Sequence, residues 1–238
     1  MKIVAIIQAR QGSKRLPNKV LKTLGNQSII EYLFSRVEKS KLIDYTFIAT
    51  SSNNENYQLI ELLKRAGIEY ICGPENDVLE RYMIAAEYSN ADVIVRITGD
   101  CPFVDPALID EILTKYKKTN ADYISNTLVE TYPDGLDIEV FSFSALKDAH
   151  ENASDSFDRE HVTPYIKKNK NLNKINYKNN RDLSTLRWTI DEPEDYIFIS
   201  EIYNRLVKRK DQSWRSILEI CENEPNLLKI NSHLTRNE

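Results

Sequence analysis

Four cations stand close together between residues 8 and 19, directly after an apolar run at residues 3–7. The cations are Arg10, Lys14, Arg15 and Lys19. Their side chains, together with backbone N–H groups of a turn at Gly12, would form a concave site suited to phosphates. The apolar run predicts a buried strand of a parallel sheet, and open α/β sheets bind ligands at the carboxyl ends of such strands. The loop is therefore predicted to bind phosphate groups, and the alternative is a solvated basic loop between a strand and a helix.

Two aspartates, Asp100 and Asp191, each follow a segment with the composition of a buried strand. Because the carboxyl ends of parallel strands meet at one edge of a sheet, we expect both carboxylates to face the crevice that receives the basic loop. Mg²⁺ commonly takes one or two protein carboxylates together with substrate phosphates and water, so the pair predicts a Mg²⁺ site. The alternatives are that Asp100 only organises its own turn and that Asp191 only caps the helix beginning at Pro193.

Further polar residues are candidates for binding an acceptor substrate. They are Asp134, Asp137, Glu160 and His161. Asp134 precedes a glycine, a pair that equally fits a plain β-turn. His161 could orient the acceptor or act as a base near neutral pH, and the alternative is a structural imidazole at a half-buried site.

Arg81 lies one turn into a helix that Asp77 is predicted to cap, and the start of that helix would face the nucleotide. The alternative is a surface arginine on an amphipathic helix. The aromatic residues nearby in the motifs are expected to pack in the core: Tyr82, Trp188 and Tyr196.

The composition is that of an ordinary globular protein, with 41% hydrophobic and 29% charged residues in 238. A net charge of −4 argues against general nucleic-acid binding, because no broad basic face is implied. The three cysteines lie far apart, without the paired spacing of a zinc site or a disulfide framework. We find no apolar run long enough to span a membrane and no secretion signal, so we expect a cytoplasmic protein.

Apolar runs alternate with helical patterns through the first 120 residues. Strands are predicted at 46–50, 69–72 and 92–97. Helices are predicted after caps at Ser28, Asp77 and Asp105, and at 57–66 before Gly67. This alternation predicts βαβ units, right-handed crossovers and a mainly parallel sheet with one large α/β domain.

The pattern changes after about residue 121. Strand-like pieces at 121–126 and 136–143 flank a turn-rich segment, which predicts an insertion or an edge ribbon. Later elements are predicted as a helix at 157–162, a strand at 186–190, and helices at about 194–208 and 213–223. We therefore expect a single domain over residues 1–230, a small β insertion at 121–145, and a frayed polar tail at 231–238.

Taken together, these motifs resemble those of a known enzyme family. The loop that ends at Leu21 is similar to the signature loop of the cytidylyltransferases, which include the acylneuraminate and 3-deoxy-manno-octulosonate enzymes. Other motifs look most like the SpsF branch, named for spore-coat polysaccharide synthesis. They lie at residues 77–82, 96–102, 132–137, 159–165 and 188–195. The resemblance covers about residues 1–205.

The resemblance implies a three-layer, glycosyltransferase-A-like and Rossmann-like fold. It also implies an enzyme that transfers CMP from CTP to an acidic sugar, releases pyrophosphate, requires Mg²⁺ and forms a homodimer through residues 121–143. The catalytic residues would be Arg10, Arg15, Lys19 and Asp100, and the Mg²⁺ ligands Asp100 and Asp191. The nucleotide would contact Gln8, Ala9, Arg10, Gly12, Ser13, Lys14, Arg15, Lys19, Thr50, Arg81, Thr98 and Gly99.

This chain departs from many sialate and octulosonate enzymes at Arg96-Ile97-Thr98, a region that touches the base or the sugar, and at Gln8, where a proline is common. The sequence therefore specifies the identity of the nucleotide base less narrowly than it specifies phosphate binding. Two other functions remain open. A nucleotide-sugar-dependent glycosyltransferase is disfavoured because Thr98-Gly99-Asp100 is not an Asp-x-Asp pattern. A non-catalytic nucleotide-binding subunit is disfavoured by the retention of the loop cations and both aspartates.

Overall fold

The computed structural model describes residues 1–236 and is built around two sheets. The strands are β1 (Ile3–Gln8), β2 (Thr23–Leu24), β3 (Gln27–Ser28), β4 (Tyr45–Ser51), β5 (Tyr70–Gly73), β6 (Val93–Thr98), β7 (Tyr123–Ser125), β8 (Glu139–Ser142) and β9 (Lys174–Asn176). The helices are α1 (Ile29–Val37), α2 (Tyr57–Ala66), α3 (Val78–Ser89), α4 (Pro106–Lys117), α5 (Phe143–Asn152), α6 (Ser156–His161), α7 (Pro164–Lys168), α8 (Pro193–Leu206) and α9 (Trp214–Asn223). Short 3₁₀ turns lie at Lys19–Leu21, Asn54–Asn56 and Leu227–Ile230.

The main sheet has seven strands in the order β5-β4-β1-β6-β8-β7-β9, and β2 pairs with β3 in a small hairpin. Strands β5, β4, β1 and β6 pair in parallel, whereas β8 runs antiparallel to both β6 and β7. The expected mainly parallel α/β architecture is confirmed. Since β1 and β6 are adjacent and parallel, the loops after both strands open at the same edge of the sheet.

Alternating side chains of β1 divide the core into two layers. Ile3, Ala5 and Ile7 pack with the apolar faces of α1, α2, α4, α8 and α9. Val4 and Ile6 pack on the other face with α3, α5 and α7. Because successive strand residues point to opposite faces, an uninterrupted apolar run is what a strand covered on both sides requires.

The predicted helix starts agree with the structure. Ser28 and Glu31 form the predicted capping box of α1, and Asp77 and Asp105 cap α3 and α4. Gly67 ends α2 with φ of 66°, a left-handed conformation that glycine adopts without steric cost. None of the helices within residues 1–236 is long and apolar enough to cross a membrane.

The strand-like pieces predicted at 121–126 and 136–143 correspond to β7 and β8. They do not form an edge ribbon, because β8 pairs with β6 and β7, and β7 also pairs with β9. The insertion at 121–145 stays a prediction. Phe143 begins α5 rather than ending a strand. The apolar side chains of β7 and β8 are buried, which explains the strand pattern in the sequence. That pattern does not indicate where in the sheet the two strands lie. The expected homodimer stays a prediction.

Residues 186–190 are extended but form no strand, because only Arg187 makes an isolated bridge, to Asp134. The segment is instead held by backbone hydrogen bonds to two loops. Asp134 N–H donates to the carbonyl of Leu186, and Trp188 N–H donates to the carbonyl of Asp134. Ile190 N–H donates to the carbonyl of Asp100. The tail is not frayed over residues 231–236, since Asn231 is buried and donates to Asp195. Residues 237 and 238 lie outside the described residues.

Gly135 adopts φ of 101°, and an added Cβ would lie 2.5 Å from the backbone carbon of Trp188. We expect Gly135→Ala to lower the free energy of unfolding by about 2–4 kcal/mol, because backbone strain and a backbone clash act together. Gly67→Ala is the matched control, since Gly67 also has positive φ but has nothing within 4 Å of an added Cβ. Urea unfolding of both variants tests this, and equal losses would contradict it.

Candidate active site

The loops that follow β1 and β6 enclose a cleft of about 490 Å³. Every residue that the sequence predicts for the site lines this cleft, with one exception. Thr50 is fully buried in β4 and its hydroxyl has no hydrogen-bond partner within the described residues. The structure thus brings the basic loop, both aspartates and all four acceptor-side candidates to a single cavity, and leaves Thr50 in the strand beside it.

Close backbone contact between the two loops defines the base of the cleft. An added Cβ on Gly99 would lie 2.9 Å from the carbonyl oxygen of Gln8 and 3.0 Å from Cβ of Ala9. Gly99 N–H donates to that same Gln8 carbonyl. Only glycine permits this approach. Gly99 therefore brings Asp100 next to the basic loop.

Gln11 anchors the basic loop to the neighbouring segment before α2. Its backbone N–H donates to Asn56 Oδ1 at 2.8 Å, and its side-chain Oε1 accepts from Leu59 N–H at 2.8 Å. Gln11 is buried, whereas Lys14 and Arg15 on the same loop are exposed. The loop is thus fixed at one point while its cations remain accessible to a ligand.

Lys19 lies between the two predicted metal ligands. Its Nζ donates to Asp100 Oδ2 and to Asp191 Oδ1, each at 2.8 Å. Burial alone would lower the pKa of Lys19, but the two carboxylates outweigh burial and raise that pKa above its usual value. Burial tends to raise the pKa of Asp100, and the ammonium of Lys19 overcomes it and lowers that pKa to about 2. Lys19 and Asp100 are therefore arranged as an ion pair.

The alternative role for Asp191, as a helix cap, is not what the structure shows. The N-cap of α8 is Glu192, and Asp195 accepts from the backbone N–H groups of Asp191 and Glu192. The side chain of Asp191 instead contacts three cations: Lys19, Arg15 at 3.5 Å and Arg187 at 3.3 Å. Its carboxylate is therefore committed to the charged groups of the cleft.

The donor set of Asp100 and Asp191 fits a Mg²⁺ ion that takes its remaining ligands from substrate and water. Both carboxylates already converge on one cation, the ammonium of Lys19. Two carboxylates are the usual protein contribution to a Mg²⁺ bound with phosphates. Within residues 1–236 no cluster of three or more acidic, histidine or cysteine side chains could enclose a metal by itself. The site is therefore suited to a metal that arrives with a phosphate ligand.

Two arginines of the loop are held at the rim by carboxylates. Arg10 contacts Glu75 at 3.4 Å and Glu160 at 3.3 Å, and Arg15 contacts Glu192 at 3.1 Å. Such half-exposed ion pairs contribute little to stability, so phosphate oxygens can compete for the guanidinium groups. The loop cations are positioned by weak contacts that a polyanion can replace.

Arg81 is not a surface arginine, contrary to the alternative. It is 2% exposed and donates to the backbone carbonyls of Pro74 and Glu75. Burial lowers its pKa, and Glu75 opposes this effect. Because Arg81 also lines the cleft, it presents a buried cation beside the start of α3.

Two carboxylates face the cleft from the loop before β8. Asp134 lies 3.0 Å from Arg187, and Asp137 lies 2.7 Å from Arg236. Burial and Asp137 raise the pKa of Asp134 to about 7, despite the two arginines. Burial likewise raises the pKa of Asp137 to about 6, against the effect of Arg236. Asp134 is therefore more than a turn residue, because its side chain is buried among charges.

Arg96, which lines the cleft, belongs to a largely buried group with an excess of positive charge. Arg96 Nη1 donates to Glu139 Oε1 at 3.1 Å, and Lys167 donates to the same oxygen at 3.2 Å. One carboxylate thus serves two cations, and Nε of Arg96 is buried without a partner within the described residues. Burial lowers the pKa of the nearby His161, and Glu160 opposes that shift. A neutral imidazole can accept a proton.

Arg96 and Thr98, which the sequence placed in a region that touches the base or the sugar, both line the cleft because they alternate along β6 on one face. Sequence reasoning missed three residues that shape the site. They are Glu75, Arg187 and Arg236. Arg187 and Arg236 gave no local signal, because their partners are distant in sequence.

Known proteins are similar in sequence to this chain along nearly its whole length. A family model described as cytidylyltransferase matches residues 4–233. The chain belongs to the cytidylyltransferase family. The predicted enzyme class, a CTP-dependent cytidylyltransferase, is confirmed at this level.

Individual relatives of this cytidylyltransferase come from bacteria and archaea. An uncharacterized protein of Methanocaldococcus jannaschii is 40% identical over 240 residues, covering 98% of this chain and 96% of that protein. Spore coat polysaccharide biosynthesis protein SpsF of Bacillus subtilis is 33% identical over 231 residues, covering 94% and 95%. The solved structure of a cytidylyltransferase from Leptospira borgpetersenii has a TM-score of 0.90 at 30% identity and covers 100% of both chains. The expected fold and the resemblance to SpsF are confirmed.

The raised pKa of Asp134 predicts how the stability of this cytidylyltransferase changes with pH. The native state keeps a proton up to about pH 7, whereas the unfolded chain releases it near its ordinary value of 3.8. The stability contributed by this carboxyl is therefore present at low pH and lost as the pH rises through this window. We expect the free energy of unfolding of the wild type, relative to Asp134→Asn, to fall over this window.

Urea unfolding of both proteins at several pH values measures that difference. The amide that replaces the carboxyl in Asp134→Asn cannot ionise, so groups common to both proteins cancel in the comparison. A difference that increases with pH would show instead that the ion pair with Arg187 dominates, and would contradict the prediction.

Proposed function

We propose that this protein transfers CMP from CTP to an acidic sugar and releases pyrophosphate. The observation that carries the proposal is the convergence of Lys19, Asp100 and Asp191 beneath the basic loop, with Nζ of Lys19 at 2.8 Å from both carboxylates. A triphosphate needs several positive groups around its oxygens, and a reacting α-phosphate needs a second substrate held beside it. The cleft offers both within one cavity.

The basic loop would bind the triphosphate. Arg10, Gly12, Ser13 and Arg15 all line the cleft, and the two guanidinium groups would contact phosphate oxygens. Attack on the α-phosphate builds negative charge on its equatorial oxygens and on the leaving pyrophosphate. Fixed cations that are already oriented stabilise this charge without reorganising during the reaction. Catalysis by this chain is therefore mainly positioning and electrostatic stabilisation.

Asp100 and Asp191 would hold Mg²⁺. A bound ion would supply positive charge at the phosphates and make the phosphorus more susceptible to attack. Lys19 keeps the two carboxylates together by donating to both, and its own ammonium lies at the boundary with the basic loop. These three side chains thus prepare the site for a metal–nucleotide complex.

The wall formed by Arg96, Glu139 and Lys167 supports an acidic acceptor. One carboxylate is shared by two cations, so the group carries an excess positive charge. Arg96 lines the cleft and has a buried Nε without a partner in residues 1–236. An acceptor carboxylate in the cleft would be attracted by this excess positive charge. His161 lies on the same cavity and could take the proton of the attacking hydroxyl.

The relatives support a sugar as the acceptor class. The name of SpsF refers to biosynthesis of a spore coat polysaccharide, and the alignment with that protein covers 94% of this chain. Together with the excess positive charge at Arg96, this favours an acidic sugar for surface polysaccharide or glycan assembly over a neutral one.

We expect Arg15→Ala and Asp100→Ala each to lower the rate of pyrophosphate release from CTP and acceptor by about 10²-fold or more. The first substitution removes a phosphate contact, and the second removes half of the carboxylate pair. Arg65→Ala is the control, because Arg65 is an exposed arginine on α2 outside the cleft. The assay uses each of the four nucleoside triphosphates with a panel of acidic sugars, and circular dichroism checks the fold. Normal turnover in both cleft variants would refute the site.

Arg96→Met is expected to raise the KM for the acceptor by about tenfold while changing the KM for CTP by less than about twofold. The increase in the KM for the acceptor should be smaller when the acceptor carboxylate is replaced by a primary alcohol, because that compound has no charge for Arg96 to bind. Lys167→Met is the matched variant, since it removes the other cation from Glu139 while Arg96 remains on the cleft. An increase confined to the KM for CTP would instead assign Arg96 to the nucleotide.

A further inference from the structure

Residues 231–236, here called the tail segment, fold back onto the loops that carry the acceptor-side carboxylates. Asn231 Nδ2 donates to the carbonyl of Arg187 at 3.0 Å and to Asp195 Oδ1 at 2.9 Å. Arg187 Nη1 in turn donates to the carbonyl of Thr235 at 3.2 Å. The tail segment is therefore attached at both of its ends to the same buried arginine and its partners.

Arg236 ends the tail segment among three carboxylates. Its Nη2 lies 2.7 Å from Asp137 Oδ2, and its Nε lies 3.0 Å from Glu130 and 3.8 Å from Asp134. The Arg236 side chain is 20% exposed, so these pairs are largely shielded from water. A guanidinium in this position offers planar, directional donors to several carboxylates at once.

The charges show why this contact matters for the cleft. Asp134 and Asp137 line the cavity, and Arg236 does not. Within residues 1–236, Arg236 is the hydrogen-bonding partner of the Asp137 side chain. Without it, the Asp137 side chain would be a poorly solvated carboxyl group without its hydrogen-bonding partner, and it would be free to turn in the cleft.

We propose that Arg236 is a positioning residue for the acceptor: it fixes the carboxylates of Asp134 and Asp137 from behind and offsets their charge. The family model matches residues 4–233, so Arg236 itself lies outside the matched residues. The role in acceptor binding rests on the proposed function. The effect of Arg236 on the order of the loop at residues 132–138 does not.

The first test is the kinetics of Arg236→Gln. Because the substitution acts on the acceptor end, it raises the KM for the acceptor by about tenfold and leaves the KM for CTP within about twofold. Arg236→Lys restores part of the loss, since it keeps the charge but not the fork of donors. Arg209→Gln is the matched control, because Arg209 makes a 2.6 Å ion pair with Glu219 away from the cleft. An unchanged KM for the acceptor in Arg236→Gln overturns the role in acceptor binding.

The second test needs no turnover and separates this inference from the proposed function. Amide hydrogen exchange of the loop at residues 132–138 becomes faster in Arg236→Gln than in the wild type, and stays unchanged in Arg209→Gln. Equal exchange in the wild type and Arg236→Gln overturns the inference, whatever the enzyme assay shows. If the wild type releases no pyrophosphate with any acceptor, the proposed function fails, while faster exchange in Arg236→Gln still supports the positioning of the loop by Arg236.

Discussion

The contact of one lysine with two aspartates is the interaction on which the site depends. Lys19 is separated in sequence by 81 residues from Asp100 and by 172 from Asp191. One ammonium and two carboxylates, all only partly solvated, must be brought together, because a lone buried charge is strongly unfavourable. Any fold of this chain that failed to close these distances would leave charges unpaired. The triad therefore fixes the relation of the first loop to the last third of the chain.

Backbone contacts rather than side chains set the accuracy of this arrangement. Gly99 lets the loop after β6 touch the loop after β1, and Gly135 lets the loop before β8 approach the segment at Trp188. That segment donates from Ile190 N–H to the carbonyl of Asp100. The two aspartates are thus connected through one hydrogen bond of the main chain. Asp191 reaches the site although it does not follow a strand, because this connection does what pairing in the sheet would have done.

Most helices and strands could be predicted from local signals in both halves of the chain, including α8 and α9, but the pairing of the later strands could not. Caps such as Ser28 and Asp77, and the apolar run at residues 3–7, depend on neighbours close in sequence. The position of β8 inside the sheet depends on its pairing with β6, which no local pattern encodes. Residues 186–190 resembled a strand because apolar residues alternate along them and most of them are buried. Their hydrogen bonds go to loops, which the local pattern does not show.

The residues of the site also divide into those that sequence patterns identify and those that they do not, and the reason is electrostatic. Sequence patterns identified the groups that must meet a polyanion, since clustered cations and acids after apolar runs are visible in one chain. They did not identify the groups that neutralise those residues in the folded protein. Arg187 contacts Asp134, Asp191 and Asp195 at once, and its 5% exposed side chain requires such partners. A cleft that binds highly charged substrates needs this second set of ions, because the binding groups would otherwise repel or distort one another before any substrate arrives. The residues hardest to predict are therefore those that keep the predictable ones in place.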